Sequence, residues 1–187
     1  SNINQFGALA MAGCGSYSKI EGFGFIPVTC FSQALTTFIG QNLGAKEYDR
    51  TKKGALFGTI CGIGIAEVIG IAVFFFSPYL IAAFGGDQKA IEYGIAEAHT
   101  IAFFYCLLAF SHCMAAIQRG AGRSIVPMFV MMIVWCGVRV TYISIVIRII
   151  PVINVIYWAY PLTWFISSVI FLILFLKTDW IHGLEKQ

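Results

Sequence analysis

The chain has 187 residues, of which 59% are hydrophobic and 11% charged, against roughly 45 to 50% apolar and about 25% charged in soluble domains. Its net charge of +3, from 12 basic and 9 acidic residues, is too small and too dispersed for a nucleic-acid binder. An ordinary water-soluble domain is excluded, and the composition fits a chain whose solvent is the lipid bilayer.

Crossing roughly 30 Å of hydrocarbon takes about 20 residues at ~1.5 Å rise each, and five segments reach that length. In chain order they are about 18–43, 54–77, 95–117, 124–147 and 151–176. Residues 22–43, 101–117 and 151–176 hold no Asp, Glu, Lys or Arg, whereas a soluble core helix would carry a polar face. The expected fold is an all-α, polytopic transmembrane helix bundle, with 1–187 as one domain. Before the first span lies FGALAMAG (6–13), too brief to cross, and no secretory signal opens the chain. The odd number of spans and the abrupt start point to a piece of a longer protein.

The first span contains Gly22, Gly24 and Pro27, and the fifth contains Pro161. Proline removes a ladder donor and crowds the preceding turn, so both helices are expected to bend or break there. Glu21, near the outer end of the first span, is expected at the interface. The most polar run of the chain, GQNLGAKEYDRTKKG (40–54), follows. It lacks the phosphate-loop lysine and follows a helix, so it is not a nucleotide loop. Its glycines are expected to end the first helix and turn the chain. The second span carries Gly54, Gly58, Gly62, Ala66 and Gly70, a small residue at every fourth position, which lets another backbone approach closely in lipid.

Ionisable residues inside a span cost at least about 2.5 to 3.5 kcal/mol on insertion scales, and Glu67 and Arg139 both lie deep. In the functional reading Glu67 takes up a proton or Na⁺ while Arg139 fixes a carboxylate in a water-filled cavity. In the structural reading both are buried polar links, either to each other or from Arg139 to Tyr142 and backbone carbonyls. The third span has Glu97 and His99 near its outer end and His112 farther down. His112 is a proton relay or hydrogen-bonded packing. Glu97 is a candidate for ion coupling, although a solvated, interfacial place is expected for both Glu92 and Glu97.

In the fifth span Tyr157, Tyr160 and Trp164 fall at i, i+3 and i+7 and share one face. Their rings could stack on a flat cation. An interfacial belt explains Tyr157 and Trp158 equally well, but Trp164 is too deep for it. The cysteines Cys14, Cys30, Cys61, Cys106, Cys113 and Cys136 show no CxxC spacing and read as small buried hydrophobes, with no metal site or disulfide framework. GxSxG, HExxH, GxxxxGK[ST] and a GxGxxG after a strand are absent. The chain is therefore read as no enzyme, with no cofactor beyond a coupling ion.

Lys46, Arg50, Lys52 and Lys53 follow the first span, Arg119 and Arg123 the third, and Lys177 and Lys186 the fifth, all on one side. Lys89 and Arg148 lie on the other side, with Lys19 near that end of the first span. The positive-inside rule makes the first side cytoplasmic. The start of the chain is then outside and the C-terminus inside, in a cell (inner or plasma) membrane.

Five strings carry a family resemblance: FGALAMAG (6–13), IGQNLGAKEYDR (39–50), AFGGDQKAIEYG (83–94), QRGAGRSIVP (118–127) and YPLTW (160–164). With them the chain resembles the C-terminal half of bacterial MATE (multidrug and toxic compound extrusion) transporters. The most specific parts are the loops built on Gly40, Gln41, Asn42 and Gly44 and on Arg119, Gly120, Gly122, Arg123 and Pro127. The resemblance implies a twelve-helix antiporter of two lobes related by a pseudo-twofold axis along the membrane normal. The five spans would be its helices 8 to 12 and residues 1–6 the end of helix 7, with the first loop cytoplasmic.

It further implies partnership with the missing N-terminal lobe and export of small-molecule organic cations by alternating access, driven by H⁺ or Na⁺. This lobe would contribute Glu67 and Arg139 as internal charges and the aromatics as a drug-facing surface. The family's proton-linked Asp on helix 1 belongs to the other lobe, and the helix-10-like span has Glu97 high up with no mid-helix Asp, so the choice of ion stays open. Two other readings stand beside this one. A lipid-linked precursor flippase or polysaccharide exporter of the same superfamily predicts a larger, strongly cationic cavity. A non-transporting assembly subunit of a membrane complex predicts no cavity chemistry at all.

Overall fold

The computed structural model describes residues 2–181; Lys186, counted above with the cytoplasmic charges, lies outside the described residues. After a 3₁₀ turn at Asn2–Phe6 come α1 (Ala8–Gly44), α2 (Tyr48–Ala83), α3 (Gln88–Ile101), α4 (Tyr105–Gly120), α5 (Ile125–Met131), α6 (Arg139–Ile149) and α7 (Asn154–Lys177). A 3₁₀ turn at Ala102–Phe104 joins α3 to α4, and a π-helical segment at Met132–Val138 joins α5 to α6. The result is all-α, with five helices long and apolar enough to cross a membrane: Ala8–Gly44, Tyr48–Ala83, Gln88–Gly120, Ile125–Ile149 and Asn154–Lys177. On α2, Leu56, Phe57, Ile60, Val68, Phe75 and Phe76 all point outward, an apolar exterior that suits lipid and not water.

Helix ends are set by capping chemistry and not by hydropathy. The Asp87 side chain accepts the Lys89 N–H at 2.8 Å and starts α3 at Gln88, well before the apolar run at residue 95. α1 and α4 end in the same hydrogen-bond pattern. Lys46 N–H donates to Leu43 O at 3.0 Å and Glu47 N–H to Asn42 O at 2.9 Å, while Gly122 N–H donates to Arg119 O at 3.0 Å and Arg123 N–H to Gln118 O at 2.9 Å. Both are Schellman motifs, which need one left-handed residue.

In α4 that residue is Gly122 (φ 78°), but in α1 it is Lys46 (φ 60°). The expectation that glycines turn the chain in the first loop is therefore corrected: Gly40 and Gly44 are still helical. Gly40 serves packing instead. A Cβ there would lie 3.4 Å from the Gly120 carbonyl oxygen, and one on Gly120 would lie 2.7 Å from the Thr36 carbonyl oxygen. The two most family-specific loops thus hold α1 against α4.

α1, α2 and α4 form the centre of the bundle, α7 packs on α3 and α4, and the crossing Ile125–Ile149 flanks α7 with little of its own surface covered. The small-residue row of α2 faces inward. A Cβ on Gly58 would come within 2.7 Å of Leu35, one on Gly62 within 2.6 Å of Cys113 Sγ, and one on Gly70 would overlap the Ala102 carbonyl oxygen. Close approach of this kind, and not hydrophobic drive, associates helices in lipid. α1 and α7 run unbroken through Pro27 and Pro161, so of the bend or break expected at each proline the break does not occur. One missing donor leaves the rest of the ladder intact.

Candidate functional site

A cavity of about 230 Å³ lies among α1, α4, the π segment, α6 and α7, with Glu21, Phe25, Trp135, Arg139, Tyr160 and Trp164 in its lining. Arg139 opens α6 directly after the π segment that carries Trp135. Its Nε and Nη2 donate to Thr163 Oγ1 at 3.2 and 2.7 Å. The Thr163 hydroxyl has the Ala159 and Tyr160 carbonyls within donating distance, at 2.9 and 3.0 Å, which leaves the oxygen lone pairs for the guanidinium. The guanidinium carbon lies 4.3 Å from the Tyr160 ring centroid and 5.8 Å from that of Trp135, so ring faces share its charge. Tyr160 meets Trp164 edge-on, with centroids 6.1 Å apart.

Glu21 is the residue whose place sequence reasoning missed. Half-buried, it lines this cavity within the electrostatic reach of Arg139. α1 starts at Ala8, so Glu21 sits well inside the helix. A signal was present: Cys14, Tyr17, Ser18 and Glu21 recur at i, i+3, i+4 and i+7 and so share one face.

The other candidates occupy distinct places. Glu67 Oε2 accepts the backbone N–H of Cys106 at 3.2 Å and so caps the first turn of α4, where the 3₁₀ turn leaves donors without helical partners. It bridges α2 to α4, while the hydrogen bonds of Arg139 go to Thr163. His112 lies between Phe25 and Trp135, with centroids 4.9 and 5.4 Å away, and its Nε2 is buried without a hydrogen-bond partner. The expected hydrogen-bonded packing is replaced by ring contacts just behind the cavity wall.

Tyr160 and Trp164 line the cavity, but Tyr157 does not. It is fully buried, and its hydroxyl donates to the Tyr93 carbonyl at 3.2 Å. Seven residues of helix advance about 10 Å, so a shared face with Trp164 still leaves Tyr157 two turns away. Glu97, expected at a solvated interface, is only 3% exposed. The Asp87 cap carries α3 outward, and Ala90, Gly94, Glu97, Ala98 and Ile101 form its buried face. That face presses on α1, where a Cβ on Gly94 would lie 2.8 Å from the Gly13 carbonyl oxygen. Glu92 is exposed.

The motif loops lie outside the cavity lining. Asn42 Nδ2 donates to the Phe38 carbonyl at 2.7 Å, Arg123 Nη2 donates to the Asp179 carbonyl at 2.9 Å, and Pro127 is fully buried in the first turn of α5. Gln41 is exposed and Arg119 half-buried. All six cysteines are free thiols; Cys14 and Cys113 are buried, whereas Cys30 and Cys136 face outward, so the reading of the set as buried hydrophobes holds for only part of it.

The family model MatE matches residues 2–145. Probable multidrug resistance protein NorM of Thermotoga maritima is 29% identical over 130 residues, covering 69% of this chain and 28% of that protein. Probable multidrug resistance protein YoeA of Bacillus subtilis is 24% identical over 140 residues, covering 75% of this chain and 30% of that protein. The chain therefore spans less than a third of the length of these curated relatives. The solved structure of the MATE transporter ClbM in complex with Rb⁺ has the same fold, with a TM-score of 0.84 at 17% identity over 94% of this chain and 42% of that one. This chain belongs to the MatE family of multi-pass membrane transporters, which are not enzymes, and supplies five of their apolar helical crossings.

Proposed function

We propose that the chain is part of one lobe of a multidrug antiporter that exports organic cations by alternating access, driven by H⁺ or Na⁺. The observation that carries this reading is that Glu21 and Arg139 share the lining of a cavity walled by Phe25, Trp135, Tyr160 and Trp164. Ring faces suit a flat organic cation, and Glu21 supplies the opposing charge while Thr163 and Tyr160 hold Arg139 to the wall. A Glu21 neutralised by a proton or occupied by Na⁺ no longer attracts the drug. Ion and drug thus compete, and their different affinities in two global states are what couples them.

The cavity, at about 230 Å³, is smaller than the roughly 300 to 1,000 Å³ of drug sites. The remaining binding surface would come from the N-terminal lobe, against which this one moves. The placement of the basic loops supports a cytoplasmic C-terminus and an outside start. A phosphate-bearing cargo would call for a strongly cationic cavity, whereas this lining pairs one arginine with one glutamate.

The test is ethidium efflux from cells expressing the gene that encodes this chain, with Na⁺ and pH varied separately. Efflux should follow one of the two ion gradients and fail in Glu21→Gln. Efflux indifferent to both gradients, or intact in Glu21→Gln, overturns the proposal.

A further inference from the structure

We propose that a groove between α2 and α7, on the outside of the bundle, binds one anionic glycerophospholipid, with an acyl chain laid along α4 and the phosphate held by Lys52. The site does not depend on the antiport reading above. It begins with how three helices pack. α2 and α7 each pack along α4 but hardly on each other, and the gap between them is a groove of about 490 Å³. Phe110 and Met114 of α4 form its floor, and the outward-facing Leu56 of α2 and Leu172 and Leu176 of α7 form its rims.

Its end wall depends on a family-specific loop. α7 ends at Lys177, and Arg123 Nη2 then holds the Asp179 carbonyl at 2.9 Å while the Trp180 N–H donates to the Thr178 carbonyl at 2.9 Å. That turn lays the Trp180 ring on Phe175, with centroids 5.2 Å apart and planes 27° from parallel, and leaves Trp180 buried. Trp180 and Phe175 both line the groove together with Lys52. Arg123, which has no part in the lining of the central cavity, thus shapes a second site.

The chemistry of the lining selects the ligand. Lys52 is the one charged group among the lining residues, and it is exposed. The Thr59 hydroxyl donates to the Ala55 carbonyl of its own helix at 2.8 Å. From Lys52 to Thr59 the helix advances about 10 Å, about two-thirds of the roughly 15 Å hydrocarbon depth of one leaflet. A ligand that fits is apolar over most of that length and anionic at one end, which in a bilayer is an acidic phospholipid. An organic cation is repelled by Lys52, and a zwitterionic lipid brings its own ammonium beside the phosphate. Lys46, Arg50, Lys53, Arg119 and Lys177 lie at the same end of the bundle, against Glu47, Asp49 and Asp179, so the surrounding field favours an anion as well.

Trp180 makes the site readable. The probe is quenching of tryptophan fluorescence in the full chain, in detergent, by phosphatidylglycerol with brominated acyl chains, compared with phosphatidylcholine carrying the same chains. Phosphatidylglycerol should reach half-quenching at a several-fold lower mole fraction. Lys52→Gln should weaken that preference about fivefold, the share of one lysine near a charged surface. Lys53→Gln, equal in charge but outside the groove lining, should leave it unchanged. Trp180→Phe should erase the selective part and spare the unselective quenching of Trp158, which faces outward. Millimolar inorganic phosphate should not compete, because it lacks the acyl chain.

Equal quenching by the two lipids overturns the site, and equal losses in Lys52→Gln and Lys53→Gln reduce it to a diffuse surface field and overturn it too. Selective quenching that survives in Trp180→Phe places the lipid elsewhere, and displacement by phosphate makes the ligand a free anion; both refute the proposal. Quenching gained only when residues 182–187 are removed makes that segment the occupant, and quenching gained only on dilution makes a second copy the occupant. Either result sinks the lipid site. Lys52 and Lys53 are both exposed, so this pair keeps the test decisive even should Trp180→Phe fail to fold.

Discussion

Thr163→Val keeps the shape of a side chain while removing the oxygen that accepts both Arg139 hydrogen bonds, at 2.7 and 3.2 Å. Hydrogen bonds to charged groups contribute about 1.5 to 3 kcal/mol in soluble proteins, whereas side-chain bonds between membrane helices average about 0.6 and reach about 1.7 kcal/mol. Both bonds here share one acceptor and the longer is the weaker, so their energies do not simply add. Tyr160, whose ring centroid lies 4.3 Å from the guanidinium carbon, keeps its contact in the variant. The expected loss is about 2 kcal/mol, a factor of roughly 30 in the folded-to-unfolded ratio.

The assay is reversible unfolding of the chain in detergent for Thr163→Val, Arg139→Leu and the double variant. If Thr163 acts through Arg139, its substitution should cost less than about 0.5 kcal/mol once Arg139 is gone. The coupling between the two positions then nearly equals the single-variant loss. Additive effects within about 0.5 kcal/mol, or a neutral Thr163→Val, would refute the view that this hydroxyl is what keeps a mid-bundle guanidinium on the wall.

Two substitutions on α2 should part company. Gly70→Ala drives a Cβ into the Ala102 carbonyl oxygen and should cost about 1 to 3 kcal/mol by overpacking. Gly64→Ala meets nothing within 4 Å and should stabilise by about 0.5 to 1 kcal/mol through helix propensity; equal effects in the same unfolding assay would refute the packing seam. Glu67→Gln retains an oxygen for the Cys106 N–H, so stability and efflux should stay near wild type, while Glu67→Leu should cost about 1 to 3 kcal/mol for the orphaned donor. Loss of efflux in a stably folded Glu67→Gln would instead make its charge part of the mechanism.

Fold class was legible because lipid leaves a backbone few options: apolar runs of sufficient length must satisfy their own polar groups, and helices do so. The family was legible in the loops 40–50 and 118–127, whose glycines hold α1 against α4. What hydropathy could not give was where helices begin. Asp87 caps α3 and so carries Glu97 from an expected solvated place to a buried one, while α1 reaches back to Ala8 and puts Glu21 well inside a helix. Height along a helix was the other blind spot. Tyr157 and Trp164 share a face by spacing, yet only the latter borders the cavity.

The prolines do not mark the irregular segments. Pro27 and Pro161 sit in unbroken helices, while the irregular segments, Ala102–Phe104 and Met132–Val138, contain no proline at all. A proline announces only a missing donor. A break in lipid lasts when a neighbouring helix meets the groups it frees, and that provision is not visible in the broken segment itself. Here α2 makes it: Glu67 takes the Cys106 N–H, and Gly70, three residues on and on the same face, lets the Ala102 carbonyl come close. Glu67, for which a transport charge and a buried polar link were both open, and Gly70 of the small-residue row thus meet the same irregular segment.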